Sequence, residues 1–126
     1  IQDGAKVAIL KFTNVSDGTG ESGVVKVDVS ALNADPLTGK ACTAVVVSRI
    51  QFVTYKMDVK IEFDATTNTL IAYLPENYSD DLDYREFSGI PNNAAAGKTG
   101  DIVFTTTGAA SGDAYSIVMT LNKTYG

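Results

Sequence analysis

Hydrophobic and polar residues alternate along most of the chain with the period of two that is typical of β-strands. The clearest stretch is KMDVKIEFD, in which Met57, Val59, Ile61 and Phe63 alternate with charged residues. A strand of this kind keeps one face on a hydrophobic core and the other in water. The pattern therefore predicts a half-buried strand of an antiparallel sheet.

Six more stretches rich in Val, Ile, Thr, Tyr and Phe, with Gly, Asn, Asp and Ser between them, have the composition of strands. They are KVAILKFT, GVVKVDVS, VVVSRIQFVTY, TLIAYLP, GDIVFTTT and AYSIVMTLNKTY. We expect VVVSRIQFVTY, KMDVKIEFD and TLIAYLP to form a meander. The Asp-Gly pair in NVSDGTGES lies between the first two of the six stretches and predicts a hairpin there.

Seven or eight short antiparallel strands predict an all-β fold, either a β-sandwich or a jelly-roll-like domain. Only SALNADPLTG and YSDDLDYREF could hold a helical turn, and Pro36 and Gly39 limit the first to one turn. With no internal repeat or linker, residues 1–126 are expected to form a single domain. Residues 1–4 could be an N-terminal arm, and residues 89–100 a long surface loop.

Composition excludes several classes of chemistry. The net charge of −5 argues against nucleic acid or an anionic membrane as a partner. There is no His, so neither a Ser-His-Asp triad nor a Cys-His pair can form within this chain. Cys42 is the only cysteine, which rules out an intrachain disulfide and predicts a small buried side chain. We expect no catalytic residue, no cofactor and no bound metal.

Hydropathy is compatible with a protein that assembles. No apolar run approaches the roughly 18 residues that span a bilayer. The mean hydropathy of +0.04 is high for a soluble monomer with 20% charged residues, which hints at surface buried in an assembly. No signal peptide is visible, and the chain opens at Ile1 rather than Met, so a few initial residues could be missing.

The triplet Gly97-Lys98-Thr99 spells the end of a nucleotide-binding P-loop. That motif requires a glycine five positions before Gly97, where this chain has Asn92. It also requires a helix after the loop to hold the phosphate, whereas GDIVFTTT reads as a strand. The triplet is therefore expected to lie in a surface connection.

Two acidic segments are weaker candidates for a site. Asp17 and Glu21 in NVSDGTGES resemble part of a calcium loop but fall short of the six or so oxygen ligands that calcium prefers. Asp80, Asp81 and Asp83 could hold calcium, or act as acid and base in glycoside hydrolysis if placed across a cleft. A solvated turn that caps a short helical turn explains them more simply.

The remaining aromatic candidates lie in the irregular segment that follows TLIAYLP. Tyr78, Tyr84 and Phe87 could face a sugar or a partner protein. Because the chain has no Trp, packing at a protein interface is favoured over a carbohydrate platform.

Three stretches carry a resemblance to a known group of proteins. They are NVSDGTGESGVVKVDVSALN, FDATTNTLIAYLP and GIPNNAAAGKTGDIVFTTTGAASGDAYSIVMTLNK. Together they resemble small β-rich virion proteins encoded by marine tailed bacteriophages, including cyanophages. The resemblance covers most of the chain and includes no catalytic motif.

The resemblance implies a structural component of the virion, made in the host cytoplasm. A capsid decoration or cement protein is expected, which would stabilise the shell through contacts with the major capsid protein and with copies of itself. The candidate contact residues come from the arm and the long loop: Ile1, Gln2, Asp3, Gly4, Asn92, Asn93, Ala94, Ala95 and Ala96. The alternatives are a tail, neck or fibre subunit, or an extracellular glycan-binding module.

Overall fold

The alternating stretches form nine strands in the described part of the chain. The computed structural model describes residues 2–16, 18, 20–87, 89–93, 96–107 and 110–125, without the side chains of Gln2 and Phe87. The strands are β1 (Gln2–Asp3), β2 (Val7–Val15), β3 (Val24–Val27), β4 (Cys42–Tyr55), β5 (Asp58–Phe63), β6 (Thr69–Leu74), β7 (Ser79–Asp83), β8 (Ile102–Thr107) and β9 (Ala114–Tyr125). Two short 3-10 helices, Val29–Ala31 and Arg85–Phe87, lie between strands. Within these ranges, neither helix is long and apolar enough to cross a membrane.

The strands pair into two antiparallel sheets. The first sheet has the order β1-β2-β9-β4-β7, and the second has the order β3-β8-β5-β6. Apart from the two-residue β1, the order is that of an eight-stranded jelly roll, in which successive strands alternate between the facing sheets except for β5 and β6, which are neighbours in the second sheet. The predicted all-β sandwich is confirmed, and of the two architectures left open the strand order is that of a jelly roll.

The core lies between the inner faces of the two sheets. Met57, Val59 and Ile61 have no exposed surface, as the alternation predicts, and Phe63 is 1% exposed. On the facing sheet, β9 contributes the fully buried Ile117, Met119 and Leu121. Cys42 is buried as expected. Burial of apolar area at roughly 25 cal/mol per Å² makes this cluster the main source of stability.

Two predicted strand pairings are wrong. The β2 and β3 strands lie in different sheets, so NVSDGTGES crosses the sandwich and does not close a hairpin. The β4 and β5 strands also lie in different sheets, and only the β5–β6 half of the expected meander is paired. Alternation assigns each side chain to the core or to water, but it does not say which strand lies alongside.

Two strands were missed. In β7, three of the five residues are aspartates, so no apolar period marks the strand. In the part of the chain that the structure describes, it lies at an edge of the first sheet and pairs with β4 alone, a position where charged side chains are well tolerated. The expected helical turn follows it at Arg85–Phe87. The other missed strand, β1, has only two residues.

Candidate functional site

The loop that contains Gly97-Lys98-Thr99 is bound to its own domain at several points. Ile90 exchanges two backbone hydrogen bonds with Val47, with N···O distances of 2.8 and 3.0 Å. At the other end, the Thr99 hydroxyl donates to Asp64 Oδ2 at 2.9 Å, and the Thr99 N–H donates to the Asp64 carbonyl at 3.2 Å. The described parts of the loop thus follow the two sheets closely.

This geometry differs from that of a phosphate-binding loop. The residues after Thr99 lead into strand β8 at Ile102, so no helix N-terminus points toward the loop. The Thr99 hydroxyl, which would bind magnesium in a P-loop, is occupied by the carboxylate of Asp64. Lys98 is exposed to solvent. The three-letter match therefore reflects a connection that folds against the sandwich.

Two glycines allow the loop to approach so closely. Gly97 has φ of +79°, and a Cβ there would overlap the Thr66 hydroxyl. Gly100 has φ of +88°, and a Cβ there would overlap the Thr43 carbonyl. Both positions need the left-handed conformation and the absence of a side chain, which glycine alone combines without strain.

The three aspartates of β7 do not share a single site. Asp81 is paired with Arg49, whose Nε donates to Asp81 Oδ1 at 2.9 Å. Asp83 is paired with Arg85, with NH2 to Oδ2 at 2.6 Å, and it also accepts from the Arg85 N–H at the start of the 3-10 helix. Asp80 accepts a bond from the backbone N–H of Asp81.

These pairs shift the pKa values of two aspartates in β7. The hydrogen bond from Arg49 lowers the pKa of Asp81. The Arg85 guanidinium, followed by the Arg85 N–H, lowers the pKa of Asp83 far below its ordinary value. Each of these two carboxylates thus already has a cation of its own chain. Within the described ranges, no group of three or more acidic or Cys side chains is placed to hold a metal ion.

Glu21, the other acidic candidate, joins the two sheets. Its Oε1 accepts from the Tyr115 hydroxyl of β9 at 2.6 Å, and its Oε2 lies 2.5 Å from Lys26 Nζ of β3. Its backbone carbonyl accepts from Thr106 of β8 at 2.9 Å. Burial, aided by the Glu21 carboxylate, raises the pKa of Tyr115 well above its ordinary range. Asp17, its suggested partner in a calcium loop, lies outside the described residues.

The described part of the arm is folded back on its own chain. Asp3 pairs with Ala8 of β2, and its carboxylate accepts from Lys123 Nζ at 2.6 Å and from the Asn33 N–H at 2.7 Å. Lys123 also donates to the carbonyls of Gly4 and Asn33, at 3.1 and 2.7 Å. Burial raises the pKa of Asp3, but the bonds from Lys123 and Asn33 outweigh it and leave the pKa lowered.

The candidate contact residues fall into two separate places. Asn92 is half-buried and Asn93 exposed, while Ile1, Ala94 and Ala95 lie outside the described residues, as does the side chain of Gln2. Strands β2, β9 and β4 lie between the arm and Ile90. At about 4.8 Å per strand, that separation is roughly 19 Å. Their role in contacts stays a prediction.

The aromatic candidates are also dispersed. Tyr78 is 50% exposed, and its ring centroid lies 6.1 Å from that of Phe52. Tyr84 is half-buried against the core, and burial raises the pKa of its hydroxyl. The side chain of Phe87 lies outside the described part of the chain.

An apolar surface that was not predicted from the sequence lies on the outer face of the second sheet. In one cross-strand row, Val25 is opposite Val103, Val103 is opposite Glu62, and Glu62 is opposite Leu70. Val103 is 1% exposed although it points away from the core, whereas Val25 and Leu70 are 47% and 53% exposed. In the next row, Tyr73 is opposite Lys60 and 49% exposed. We call Val25, Val103, Leu70 and Tyr73 the outer stripe.

Comparison with known proteins gives a likeness in structure alone. No protein-family model and no curated protein matches the chain. Among solved structures, it is similar to a chain of Bacillus endospore appendages, described as a novel family of disulfide-linked pili. The identity is 15% and the TM-score 0.40, over 100% of this chain and 96% of that chain. It is also similar to a chain of the cyanophage Pam1 capsid asymmetric unit, with 13% identity and a TM-score of 0.41, over 93% of this chain and 81% of that one.

Proposed function

We propose that the chain is a structural protein of a phage virion, and specifically a capsid decoration or cement protein. In this role it lies on the capsid surface and binds the major capsid protein and copies of itself. It performs no chemistry and requires no cofactor. Its contribution is to hold neighbouring subunits together through protein–protein contacts.

The observation that carries the proposal is the outer stripe. Single exposed apolar side chains are ordinary, whereas apolar side chains grouped on one face of a sheet often mark an interaction site. Leu70 and Tyr73 are each about half exposed, and Val25 extends the stripe across the sheet. A protein partner that covered them would gain the burial of aliphatic and aromatic area that is typical of the centre of an interface.

The placement of the charged groups supports a role without catalysis. Groups with shifted pKa values often mark active sites when they converge in a cleft. In this chain, Asp81 and Asp83 lie on an exposed edge strand and are each paired with an arginine. Asp3 is paired with Lys123, which holds the arm in place. The shifted pKa values of Asp3, Asp81 and Asp83 are thus accounted for by pairs that stabilise the fold.

The sequence resemblance supports the choice of particle. The stretches similar to marine phage virion proteins include both ends of the outer stripe, since Val25 lies in the first stretch and Leu70 and Tyr73 lie in the second. The resemblance and the exposed apolar face thus concern the same part of the chain.

The location of the chain in a purified particle tests the proposal. A cryo-EM reconstruction of the virion is expected to show this jelly roll on the shell, at a copy number set by the capsid symmetry. Density confined to the tail, neck or fibres would overturn the decoration role. In a binding assay with shells lacking the protein, deletion of residues 1–4 and replacement of 92–96 by Gly-Ser test the candidate contact residues.

A glycan-binding role is separated by a different assay. Binding of the isolated protein to a glycan array that is lost on replacing Tyr78 and Tyr84 by Ala would favour that module over a virion component. We expect no such binding.

A further inference from the structure

We infer that strand β6 is a self-association edge. In this arrangement, the β6 strands of two copies pair antiparallel about a two-fold axis, and the two four-stranded sheets become one sheet of eight strands. The inference rests on one part of the proposed function, the contacts between copies of the chain. It is tested on the isolated protein, without the particle.

The four edge strands differ sharply in their side chains. Strand β7 carries three aspartates, β1 has two residues including Asp3, and β3 is interrupted by a register shift and contains Lys26. These are the features that discourage a sheet edge from recruiting another strand. Strand β6, with the sequence TLIAYL, has six residues with neither charge nor proline. Within the described chain, its neighbour in the sheet is β5 alone.

The burial pattern of β6 matches its own reverse. Leu70 and Tyr73 are exposed on the outer face, whereas Ile71, Ala72 and Leu74 are buried. Leu70 and Tyr73 both lie on the outer face although they are three residues apart. The reason is that the register with β5 shifts between Ile61 and Glu62. When Leu70 lies opposite Tyr73 of a second copy, all six residues pair. Outward residues then face outward ones, and Thr69 faces Leu74.

This register places apolar side chains opposite each other and sets no like charges face to face. Within one copy, Glu62 lies beside Leu70 and Lys60 lies beside Tyr73. The row from Glu62 through Leu70 therefore continues into Tyr73 and Lys60 of the second copy, and the two-fold axis creates the reverse row as well. Each row has an aliphatic–aromatic cross-strand pair at its centre, which favours this partner. The charges at the two ends of a row are about 14 Å apart, and Glu62 is already paired with Lys60 of its own copy at 3.8 Å, so they add little attraction between copies.

The oligomeric state of the isolated protein tests the inference. Sedimentation equilibrium is expected to show a concentration-dependent dimer of the wild-type chain. The double variant Leu70→Lys, Tyr73→Lys places lysines opposite each other across the axis, and we expect its dissociation constant to rise by about 100-fold or more. Both side chains are about half exposed, and circular dichroism checks that the variant stays folded.

A matched control separates the edge from general changes in charge. Val15→Lys, Val53→Lys adds the same two charges at exposed apolar positions of the first sheet, where Val15 and Val53 are 72% and 55% exposed. This variant is expected to dimerise like the wild type. A wild-type monomer at all accessible concentrations, or a dimer that is lost in the control but kept in the β6 variant, would overturn the inference.

Cross-linking tests the register directly. A mixture of the variants Leu70→Cys and Tyr73→Cys should form a disulfide-linked dimer under mild oxidation, because residues directly opposite have the Cβ separation that a disulfide needs. Leu70→Cys alone should not cross-link, since its own copy lies about 10 Å along the strand. The wild type, with its buried Cys42, is the background control.

The two proposals fail separately. A protein that decorates capsids but stays monomeric in solution refutes the self-association edge and leaves the virion role intact. A protein that forms a β6-dependent dimer but is absent from every purified particle refutes the virion role and leaves the self-association edge intact. Binding of β6 to a strand of another protein, with no dimer formed, also counts against the inference.

Discussion

The ammonium group of Lys123 lies 2.6 Å from the carboxylate of Asp3, although the two residues are 120 positions apart in the chain. The Lys123 side chain has no exposed surface, and its amine also donates to the carbonyls of Gly4 and Asn33. One lysine of β9 thus ties together β1, the β1–β2 turn and the connection after the first 3-10 helix.

Replacing Lys123 with Met should therefore destabilise the protein. Met keeps most of the aliphatic stem but removes the ammonium donor from the Asp3 carboxylate and from the carbonyls of Gly4 and Asn33. We expect a loss of about 2–4 kcal/mol in the free energy of unfolding, measured in urea. Faster hydrogen exchange at the Asn33 N–H should accompany it, since that group donates to Asp3. Lys98→Met, at an exposed lysine, is the control, and equal losses in the two variants would contradict the assignment.

Stability should fall in acid because of the carboxylates on β7. Hydrogen bonds from arginines lower the folded-state pKa of Asp81 and Asp83 below the ordinary value of 3.8. A lowered folded pKa gives stability that is present above the unfolded pKa and is lost as the pH falls toward the folded one. Urea unfolding at pH 7 and pH 3 should show a smaller difference for Asp83→Asn than for the wild type.

The matched control for that experiment is Asp80→Asn. Asp80 lies on the same strand but outside both arginine pairs. The loss of acid sensitivity should be larger in Asp83→Asn than in Asp80→Asn, because only Asp83 loses an arginine pair. An Asp83→Asn protein with an unchanged difference would show that the Arg85 pair does not contribute to acid stability.

Removing the Tyr115 hydroxyl should weaken the junction between the sheets. Tyr115→Phe deletes one hydrogen bond to a half-buried carboxylate, and we expect a loss of about 1–2 kcal/mol in unfolding free energy. In the folded wild type, the raised pKa of Tyr115 should keep its hydroxyl protonated at a pH where exposed tyrosines ionise. Absorbance at 295 nm measures this directly. Tyr55→Phe, at a tyrosine that is 51% exposed, should leave the stability unchanged.

Gly100 and Gly39 form a matched pair for testing the loop. Both have positive φ, +88° and +73°, but a Cβ at Gly39 meets no atom within 4 Å. We expect Gly39→Ala to cost about 1 kcal/mol for the conformation alone. Gly100→Ala adds a collision with the Thr43 carbonyl and should cost about 2–4 kcal/mol. Equal costs in thermal unfolding would mean that the loop does not approach β4 as described.

Nucleotide should have no effect on the protein. The wild type and Lys98→Ala are both expected to keep the same melting temperature with and without magnesium and ATP. The reason is that the Thr99 hydroxyl is bound to Asp64 and no helix follows the loop. A stabilisation by ATP that disappears in Lys98→Ala would contradict this.

The strands with an apolar period were predictable, but apart from the β5–β6 pair their partners were not. The alternation in KMDVKIEFD placed Met57, Val59, Ile61 and Phe63 in the core correctly, because local geometry alone decides which side chains share a face. The hairpin expected at Asp17-Gly18 failed because all the strands offer similar apolar faces. The choice between them depends on how two whole sheets close around one core.

The structural features that were not predicted involve residues that are distant in sequence or that show no hydrophobic periodicity. Strand β7 is held by pairing to β4 and by two arginines, neither of which appears as a period in SDDLD. The contacts of Asp3 with Lys123 and of Glu21 with Tyr115 join residues 120 and 94 positions apart. Only the outer stripe had a local signal, since Leu70 and Tyr73 stand out as large apolar residues in a strand with few polar neighbours.

The pairing of β2 with β9 determines when the protein can fold during its synthesis. Residues of β2 find their partners in β9 on the order of a hundred positions later, from Val15 with Ala114 to Val7 with Asn122. Among the described strands, β2 has β9 and the two-residue β1 as its neighbours, so this first long strand lacks its main partner until β9 has left the ribosome. Non-local pairing of this kind slows folding, so β2 stays exposed to premature association until its distant partner is available.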